Sequence, residues 1–158
     1  NMLPYLTGMV VMISDKGEGE VRATKTGRAK VSYHFTDHDI HRIKQGMRET
    51  ARVLLAGGAK EVFVPVHGVG RHQDADQLYE KLLPAQVTDF TLYASHPMST
   101  CRMGINPKES VISPNGNAHG VDGLYIADAS VFPTSLGVNP QLTTLTVGTA
   151  IGRRMLNE

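Results

Sequence analysis

Cysteine is nearly absent from this sequence, since Cys101 is the only one among 158 residues. A single thiol cannot close a disulfide within the chain or build a cysteine-ligated zinc site. The sequence also lacks an excess of charge of one sign, because its 16 basic residues are nearly balanced by 15 acidic residues. The basic residues form no continuous block. The sequence therefore excludes a disulfide scaffold and argues against a nucleic-acid-binding face.

Long apolar runs are missing as well, and none approaches the length of a membrane span. No signal peptide is visible at the start, so we expect a cytoplasmic protein without a membrane span. With 158 residues, of which 41% are hydrophobic, the chain is large enough for one domain with its own core. Its abrupt apolar opening over residues 2–5 predicts a piece cut from a longer protein.

Patterns in the first 35 residues predict antiparallel strands. Residues 9–13 form a continuous apolar run, residues 14–20 a turn rich in glycine and charge, and residues 21–24 a returning strand. Residues 31–35 alternate between apolar and polar side chains, which predicts a third strand.

A long helix is predicted next. Thr36 and Asp39 have the spacing of a capping box, and a helix is expected from Asp37 to about Ala56, where Gly57-Gly58 stops it. The apolar stripe expected to pack on the sheet consists of Ile40, Ile43, Met47, Ala51 and Leu54.

The middle of the chain alternates short elements and loops. We expect a strand over residues 61–66, a polar loop over residues 67–72 and a short helix or lid segment over residues 74–83. An alternating strand over residues 88–95 should deliver His96 at its end. Strands with helices segregated to one side predict an α+β fold with a mainly antiparallel sheet.

The last third predicts a strand followed by a helix. Residues 124–127 are an apolar run that suits a buried strand. Asn139 suits the N-cap of a helix and Pro140 its first turn, with Leu142, Leu145, Gly148 and Ile151 expected to point inward. The free N–H groups at such a helix start make a place for an anionic group.

Two motifs in this region have an unusual composition. Residues 95–104 are SHPMSTCRMG; residues 123–133 are GLYIADASVFP, followed by GVNPQLTT at residues 137–144. Together they resemble the C-terminal signature of the glucose–methanol–choline (GMC) flavin oxidoreductases. The resemblance covers about residues 90–155, and the first 90 residues match only loosely. Ser99 stands where that family usually has glycine.

The resemblance implies a division of labour within the chain. Residues 1–120 correspond to a substrate-binding domain, and residues 121–158 to a strand and helix that return to the FAD-binding domain. The Rossmann part is absent from this chain, which has no G-x-G-x-x-G segment in a strand–helix context. The chain is then the C-terminal fragment of an FAD-dependent alcohol oxidase or dehydrogenase. Its partner is the absent FAD-binding half, and alone it should bind FAD weakly or not at all.

The resemblance also implies roles for individual residues. His96 corresponds to the catalytic base that accepts the proton of the alcohol, and Asn139 to the second active-site residue. Asp128 and Ala129 correspond to positions at the ribityl and pyrophosphate region of FAD. Backbone around Asn139, Pro140 and Gln141 corresponds to the part facing the flavin ring, although Pro140 has no N–H.

Each of these residues has a purely structural alternative. A lone histidine is more often a surface or hydrogen-bonded side chain, Asn139 could serve only as an N-cap, and Asp128 could be a turn or cap aspartate. No metal site is expected, because the remaining histidines have no metal-ligand spacing; they are His34, His38, His41, His67, His72 and His119.

The substrate and even the class of function stay open at this point. A bulky apolar alcohol is favoured over a sugar as the small-molecule substrate, because the motifs are most similar to those of long-chain alcohol oxidases and bacterial GMC dehydrogenases. A cholesterol-oxidase-like or hydroxynitrile-lyase activity is the alternative within the family. Outside it, the alternative is a non-catalytic binding or interaction domain. If the chain is part of an enzyme, His96 and Asn139 should open into one concave pocket.

Overall fold

The computed structural model describes residues 3–156 and confirms an α+β fold with antiparallel strands and three helices. The strands form two separate two-stranded sheets, in which β1 pairs with β2 and β3 with β4. The elements in chain order are β1 (Glu18–Ala23), β2 (Ala29–His34), α1 (Asp37–Ala56), β3 (Val62–Phe63), β4 (Arg71–His72), α2 (Ala75–Leu82) and α3 (Gln141–Met155). Short 3-10 helices lie at Leu3–Tyr5, Val87–Asp89 and Ala129–Val131.

The chain divides into two compact units. One contains residues 3–17 and 34–93, and the other contains residues 18–33 and 94–156. The functional boundary between residues 120 and 121 stays a prediction. Of the apolar opening, Met2 lies outside the described residues. None of the helices described is long and apolar enough to cross a membrane.

Helix α1 is the element that local sequence signals specify most completely. Thr36 is its N-cap, and the Thr36 hydroxyl accepts a hydrogen bond from the Asp39 N–H at 3.2 Å. The Asp39 carboxylate accepts from the Thr36 N–H at 2.9 Å, which completes the predicted capping box. The helix ends at Gly57, and Gly58 has a φ of +97° that favours glycine. Both predicted boundaries of this helix are confirmed.

The core of this unit lies between α1 and α2. Ile43, Met47 and Ala51 of the predicted stripe are buried, and Ile40 and Leu54 are half-buried. They pack mainly against α2, where Leu78 and Leu82 have no exposed surface, and only secondarily against β3. The expectation that the stripe packs on a sheet was therefore only partly met, since a helix takes most of that face.

The strands of the first 35 residues differ from prediction. Residues 9–13 are not a strand, because Val11 and Ile13 pack as single side chains on the α1–α2 core instead of pairing with another segment. The predicted turn over residues 14–20 was also wrong, since Glu18 already begins β1. The hairpin turn lies at residues 24–28, where the Thr24 N–H donates to the Arg28 carbonyl at 2.8 Å.

Every residue of β1 and β2 is exposed. Residues 19, 21 and 23 of β1 share one face, as do residues 29, 31 and 33 of β2, because side chains alternate along a strand. Both sets consist of small or apolar residues and one tyrosine, Tyr33, and Val31 is 70% exposed. The hairpin therefore presents apolar side chains that the described residues leave uncovered.

Two predicted features of the middle region need correction. The strand over residues 61–66 is reduced to β3, and the predicted loop over residues 67–72 contains β4, which pairs with β3 antiparallel. The short helix predicted over residues 74–83 is confirmed as α2 (Ala75–Leu82), with Asp74 as its N-cap and Leu83 as its C-cap.

The strand predicted over residues 88–95 does not form. The Asp89 carboxylate accepts from the Gln86 N–H at 2.7 Å and closes a 3-10 turn at Val87–Asp89. Only Phe90 pairs with another segment, in an isolated antiparallel bridge to Val66. Alternation over residues 91–95 gave no strand, because no neighbouring strand is present in the described part to supply a ladder.

Candidate active site

The two motif segments are hydrogen-bonded to each other through their backbones. The Cys101 N–H donates to the Ser130 carbonyl at 3.0 Å, and the Met103 N–H donates to the Val131 carbonyl at 2.8 Å. Residues 95–104 and 123–133 are therefore joined in one unit, as a shared site requires.

A small apolar cluster underlies both segments. Its buried members are Ile112, Ala118, Val131 and Phe132, and the half-buried side chains packed on it are Met98, Met103, Ile126, Ala129, Leu136 and Val147. Met98 is two residues after His96, and Leu136 is three residues before Asn139. Met98 and Met103 therefore serve as apolar filling beneath the motifs. The cluster thus anchors both chain segments that carry the predicted catalytic pair.

His96 lies in a bend and not at the end of a strand, so the predicted strand-end placement was wrong. Its side chain is exposed and makes no hydrogen bond to any residue between 3 and 156. The ring nitrogens of His96 are therefore not occupied by a partner within the described residues. Of the two structural alternatives for His96, a hydrogen-bonded side chain is not met in the described structure, whereas an exposed surface histidine is.

Asn139 is not the N-cap of α3, contrary to prediction. The helix begins at Gln141, and Pro140 takes the N-cap position because its carbonyl accepts the first helical hydrogen bond, from the Thr144 N–H at 2.8 Å. The Asn139 side chain is exposed and has no hydrogen-bonding partner among the residues described. Its carboxamide is therefore not consumed by capping.

The N-terminus of α3 has no side-chain cap. The N–H groups of the first helical turn have no partner within the helix and carry a partial positive charge. Gln141 provides one of these groups, while Pro140 is buried and has no N–H to contribute. An exposed carboxamide and an uncapped helix start thus lie next to each other in the chain.

Residues 124–127 do not form the buried strand that was predicted. Leu124 is exposed, and only Tyr125 pairs, in an isolated bridge to Asn117. The segment instead leads into the 3-10 helix Ala129–Val131, for which Asp128 is the N-cap.

Asp128 binds its own turn tightly. Its carboxylate accepts from the Ser130 hydroxyl at 2.5 Å and from the Ser130 N–H at 2.8 Å. These two hydrogen bonds lower the pKa of Asp128 against a small opposing effect of burial. The structural alternative of a cap aspartate is therefore met, and contact with a cofactor stays a prediction for Asp128 and Ala129.

Helix α3 is held on one face by close backbone contacts. The Ala127 carbonyl lies against Gly148, where an added Cβ would be 3.2 Å from its oxygen. Arg154 donates from Nη1 to the Pro114 carbonyl at 2.9 Å. Ile151 is buried as predicted, with 1% of its surface exposed.

The opposite face of α3 is open. Leu142 and Leu145 are 79% and 61% exposed, so the prediction that they point inward was wrong. A shallow hollow of about 400 Å³ runs along this face, lined by Leu145, Thr146, Thr149, Ala150 and Arg153. Neither His96 nor Asn139 lines this hollow, and the pocket expected to contain both of them stays a prediction.

No cluster of three or more metal-ligating side chains occurs within residues 3–156, and the absence of a metal site stays a prediction. His72 has one ring partner, the Val69 carbonyl oxygen at 2.8 Å. His119, to which no role was assigned from the sequence, has two. Its Nε2 lies 3.1 Å from both the Ser110 hydroxyl and the Gly104 carbonyl oxygen. In the sequence, the only indication of a role for His119 was its position between the two motifs.

Comparison with known proteins places these motifs in a family context. Residues 15–148 match a family model described as GMC oxidoreductase. The chain is 32% identical over 156 residues to long-chain-alcohol oxidase FAO4A of Arabidopsis thaliana, covering 92% of this chain and 21% of that protein. It is 26% identical over 150 residues to the oxygen-dependent choline dehydrogenase of Yersinia pseudotuberculosis, covering 87% of this chain and 26% of that protein.

A solved structure shares the fold. The crystal structure of pyridoxine 4-oxidase from Mesorbium loti matches with a TM-score of 0.63 and 22% sequence identity, over 89% of this chain and 27% of that chain. The chain therefore spans only about a fifth to a quarter of the length of the relatives described.

Proposed function

Because the chain belongs to the GMC oxidoreductase family, we propose that it is the C-terminal part of an FAD-dependent enzyme that oxidises the CH–OH group of an alcohol. The observation that carries the proposal is the backbone pairing of Cys101 with Ser130 and of Met103 with Val131. This pairing joins the segment that carries His96 to the segment that leads into Asn139.

His96 is the proposed base. An alcohol carbon releases a hydride readily only when the hydroxyl proton is leaving, and a neutral imidazole is suited to accept that proton near neutral pH. The exposed, unbonded ring of His96 supports this role, because no internal partner competes for its nitrogens. A histidine held in a structural hydrogen bond would first have to break it.

Asn139 is proposed to orient the substrate. Its carboxamide can donate a hydrogen bond to the alcohol oxygen and hold the hydroxyl toward His96. The structural support is that α3 begins after Pro140, which leaves the Asn139 side chain outside the cap. One side chain therefore does not have to serve two purposes.

The residues at the start of α3 fit a flavin. FAD, when bound, supplies the hydride acceptor of the reaction. The uncapped N–H groups that begin with Gln141 would stabilise negative charge on the flavin ring near N1, in the manner of an oxyanion hole. Asp128 and Ala129 would hold the ribityl and pyrophosphate region.

We propose the FAD-binding part of the same polypeptide as the partner of this chain. The chain covers only 21% and 26% of the two relatives described, and the apolar face of the β1–β2 hairpin and the Leu142–Leu145 face of α3 are uncovered in the described structure. Exposed apolar area of this kind marks an interaction surface. These faces also favour the second candidate function, a non-catalytic docking module.

The proposed substrate is a bulky apolar alcohol. The support is the similarity to several long-chain-alcohol oxidases of Arabidopsis thaliana, which are 26% to 32% identical to this chain. The choline dehydrogenase among the relatives shows that similarity extends to proteins named for a charged alcohol. The reacting CH–OH group is the feature common to these names.

The test uses the intact protein that carries this chain. His96→Ala should lower turnover about 10²- to 10⁴-fold, the usual contribution of a general base, while the bound flavin content stays unchanged. Asn139→Ala should lower it less. His38→Ala, at an exposed position on α1, is the matched control and should retain turnover. Unchanged turnover after His96→Ala would contradict the proposed mechanism and favour the docking module.

A second measurement uses the chain by itself. Titration of the purified 158-residue chain with FAD, followed by flavin absorbance, should show weak binding or none. A stoichiometric yellow complex would mean that the chain holds FAD without the proposed partner.

A further inference from the structure

The most specific unassigned arrangement in the structure is a cluster around His119. We call it the His119 clasp and define it as His119, Ser110, Gly104 and Asn106. The His119 Nε2 lies 3.1 Å from the Gly104 carbonyl oxygen and 3.1 Å from the Ser110 hydroxyl. The Ser110 hydroxyl in turn lies 2.6 Å from the Asn106 carbonyl and donates to it.

The partners of His119 determine that its Nε2 carries a hydrogen. A carbonyl oxygen can only accept, so Nε2 must carry the proton that it shares with Gly104. The Ser110 hydroxyl donates its own hydrogen to the Asn106 carbonyl. It therefore accepts a hydrogen bond from the same Nε2–H of His119. His119 thus acts as a donor that holds two loops together.

Gly104 is shaped to fit the clasp. A Cβ at position 104 would lie 2.9 Å from the Ser110 Cβ, closer than real side chains approach. Only glycine lets the two segments come near enough for the Nε2 of His119 to reach both groups. Gly104, the last residue of the SHPMSTCRMG motif, is therefore the residue through which the His119 clasp contacts this motif.

The segment between the clasp and His96 is fixed from the other side by the second motif. Cys101 and Met103 donate to Ser130 and Val131, and the Gly104 N–H donates to the Ile112 carbonyl at 2.9 Å. By contrast, His96 has no hydrogen bond of its own in the described part of the chain. Because no hydrogen bond holds His96 itself, its location depends on how the neighbouring chain is held: Met98 packs on the apolar cluster, and residues 101–104 are hydrogen-bonded.

We propose that His119 is a positioning residue for His96, acting through the His119 clasp. This inference rests on the proposed function of His96 as base. A base displaced by about 1 Å from the hydroxyl can lose on the order of 10²-fold in rate, although its own chemistry is intact. Loss of the clasp should therefore lower kcat and leave KM for the alcohol nearly unchanged.

The experiment compares His119→Ala with His119→Gln in the intact protein. The alanine variant lacks the donor, whereas glutamine carries an N–H donor at nearly the reach of Nε2. We expect kcat per bound flavin to fall about 10- to 100-fold in His119→Ala and to be largely restored in His119→Gln. KM should change less than threefold in both. His41→Ala, at an exposed histidine of α1, is the matched control.

A readout independent of turnover is backbone amide hydrogen exchange. Exchange at Met103 and Gly104 should become faster in His119→Ala than in His119→Gln. If His119→Ala does not fold, Ser110→Ala removes one acceptor of the clasp and should show the same loss of kcat to a smaller degree.

A loss of thermal stability without a change of kcat per flavin would overturn the inference, because it would show a purely structural role. Equal losses of kcat in the alanine and glutamine variants would overturn it too. Failure of the proposed function is separate, since it would show in His96→Ala.

Discussion

Ile151 of α3 packs directly on the backbone of Gly116. A Cβ built at position 116 would lie 2.6 Å from Cγ2 of Ile151, and both residues are buried. This contact sets which face of α3 turns inward. Leu142 and Leu145 lie on the other side of the helix as a consequence, and they are exposed.

Gly116→Ala should therefore destabilise the chain strongly. Gly116 has a φ of +90°, so alanine would be strained at this position in addition to clashing with Ile151. We expect the free energy of unfolding to fall by about 2 kcal/mol or more, measured by urea denaturation. Gly152→Ala is the matched control, because a Cβ at position 152 meets nothing within 4 Å. It should raise helix stability by up to about 1 kcal/mol.

Ser99→Gly should stabilise the chain. Ser99 is the only non-glycine residue with a positive φ in the described structure, at +67°, and it stands where the GMC family usually has glycine. Relief of this strain outweighs the extra freedom of glycine in the unfolded chain, so we expect a gain of about 0.5–1 kcal/mol by urea denaturation. Ser32→Gly, in the extended strand β2, should lose about the same amount. A loss at both positions would show that Ser99 is not strained.

Asp39→Asn should lower stability at neutral pH and flatten its dependence on acid. Burial raises the pKa of Asp39, but hydrogen bonds from Thr36 and Lys16 and the charge of His38 outweigh burial, so the net pKa is lowered. The contribution of a carboxylate with a lowered pKa is complete above its unfolded value and is lost as pH falls through the folded value. That window lies below about pH 4.

The measurement for Asp39 is urea denaturation at several pH values. We expect Asp39→Asn to cost about 1–2 kcal/mol at pH 7, because asparagine cannot accept all the hydrogen bonds of the capping box. Asp37→Asn, at an exposed position of the same turn, is the control. Equal acid sensitivity of the Asp39→Asn variant and the unmodified chain would exclude Asp39 as a source of acid lability.

Leu142→Gln combined with Leu145→Gln should leave the stability of the chain unchanged but lower the flavin content of the intact protein. The chain should keep its free energy of unfolding within about 0.5 kcal/mol, because both side chains are already exposed. If this face contacts the FAD-binding part, the intact protein should lose flavin on gel filtration, measured as the absorbance ratio of flavin to protein. Thr149→Ser on the same helix is the control. Full flavin retention in the double variant would contradict the proposed partner surface.

Local signals in the sequence were sufficient to predict α1 and to establish the order in which the two motifs occur. The capping box of Thr36 and Asp39, the apolar stripe and Gly57-Gly58 act within a few residues of each other, so they predict the helix without knowledge of the rest of the fold. The alternating pattern over residues 88–95 and the apolar run over residues 124–127 gave wrong strands for the opposite reason. A strand needs a partner, and its periodicity does not say whether one is near.

The candidate site divides in the same way. His96, Asn139 and Asp128 were identified by resemblance from the sequence, and their chemical types did not depend on the structure. Whether the Asn139 side chain caps α3 did depend on the structure, because the helix starts one residue later than predicted, with Pro140 at the N-cap. His119 could not be assigned, since its partners Gly104 and Ser110 are 15 and 9 residues away in the chain.

The sequence by itself determined the family, the helix α1 and the residue types available for proton transfer and cofactor binding. The tertiary structure alone decided which face of α3 is open, that Ser99 lies in the left-handed region, and that the two motifs are hydrogen-bonded together. The physical reason is that the first set follows from residues near one another in the chain. The second depends on close packing between segments that only the folded chain brings into contact.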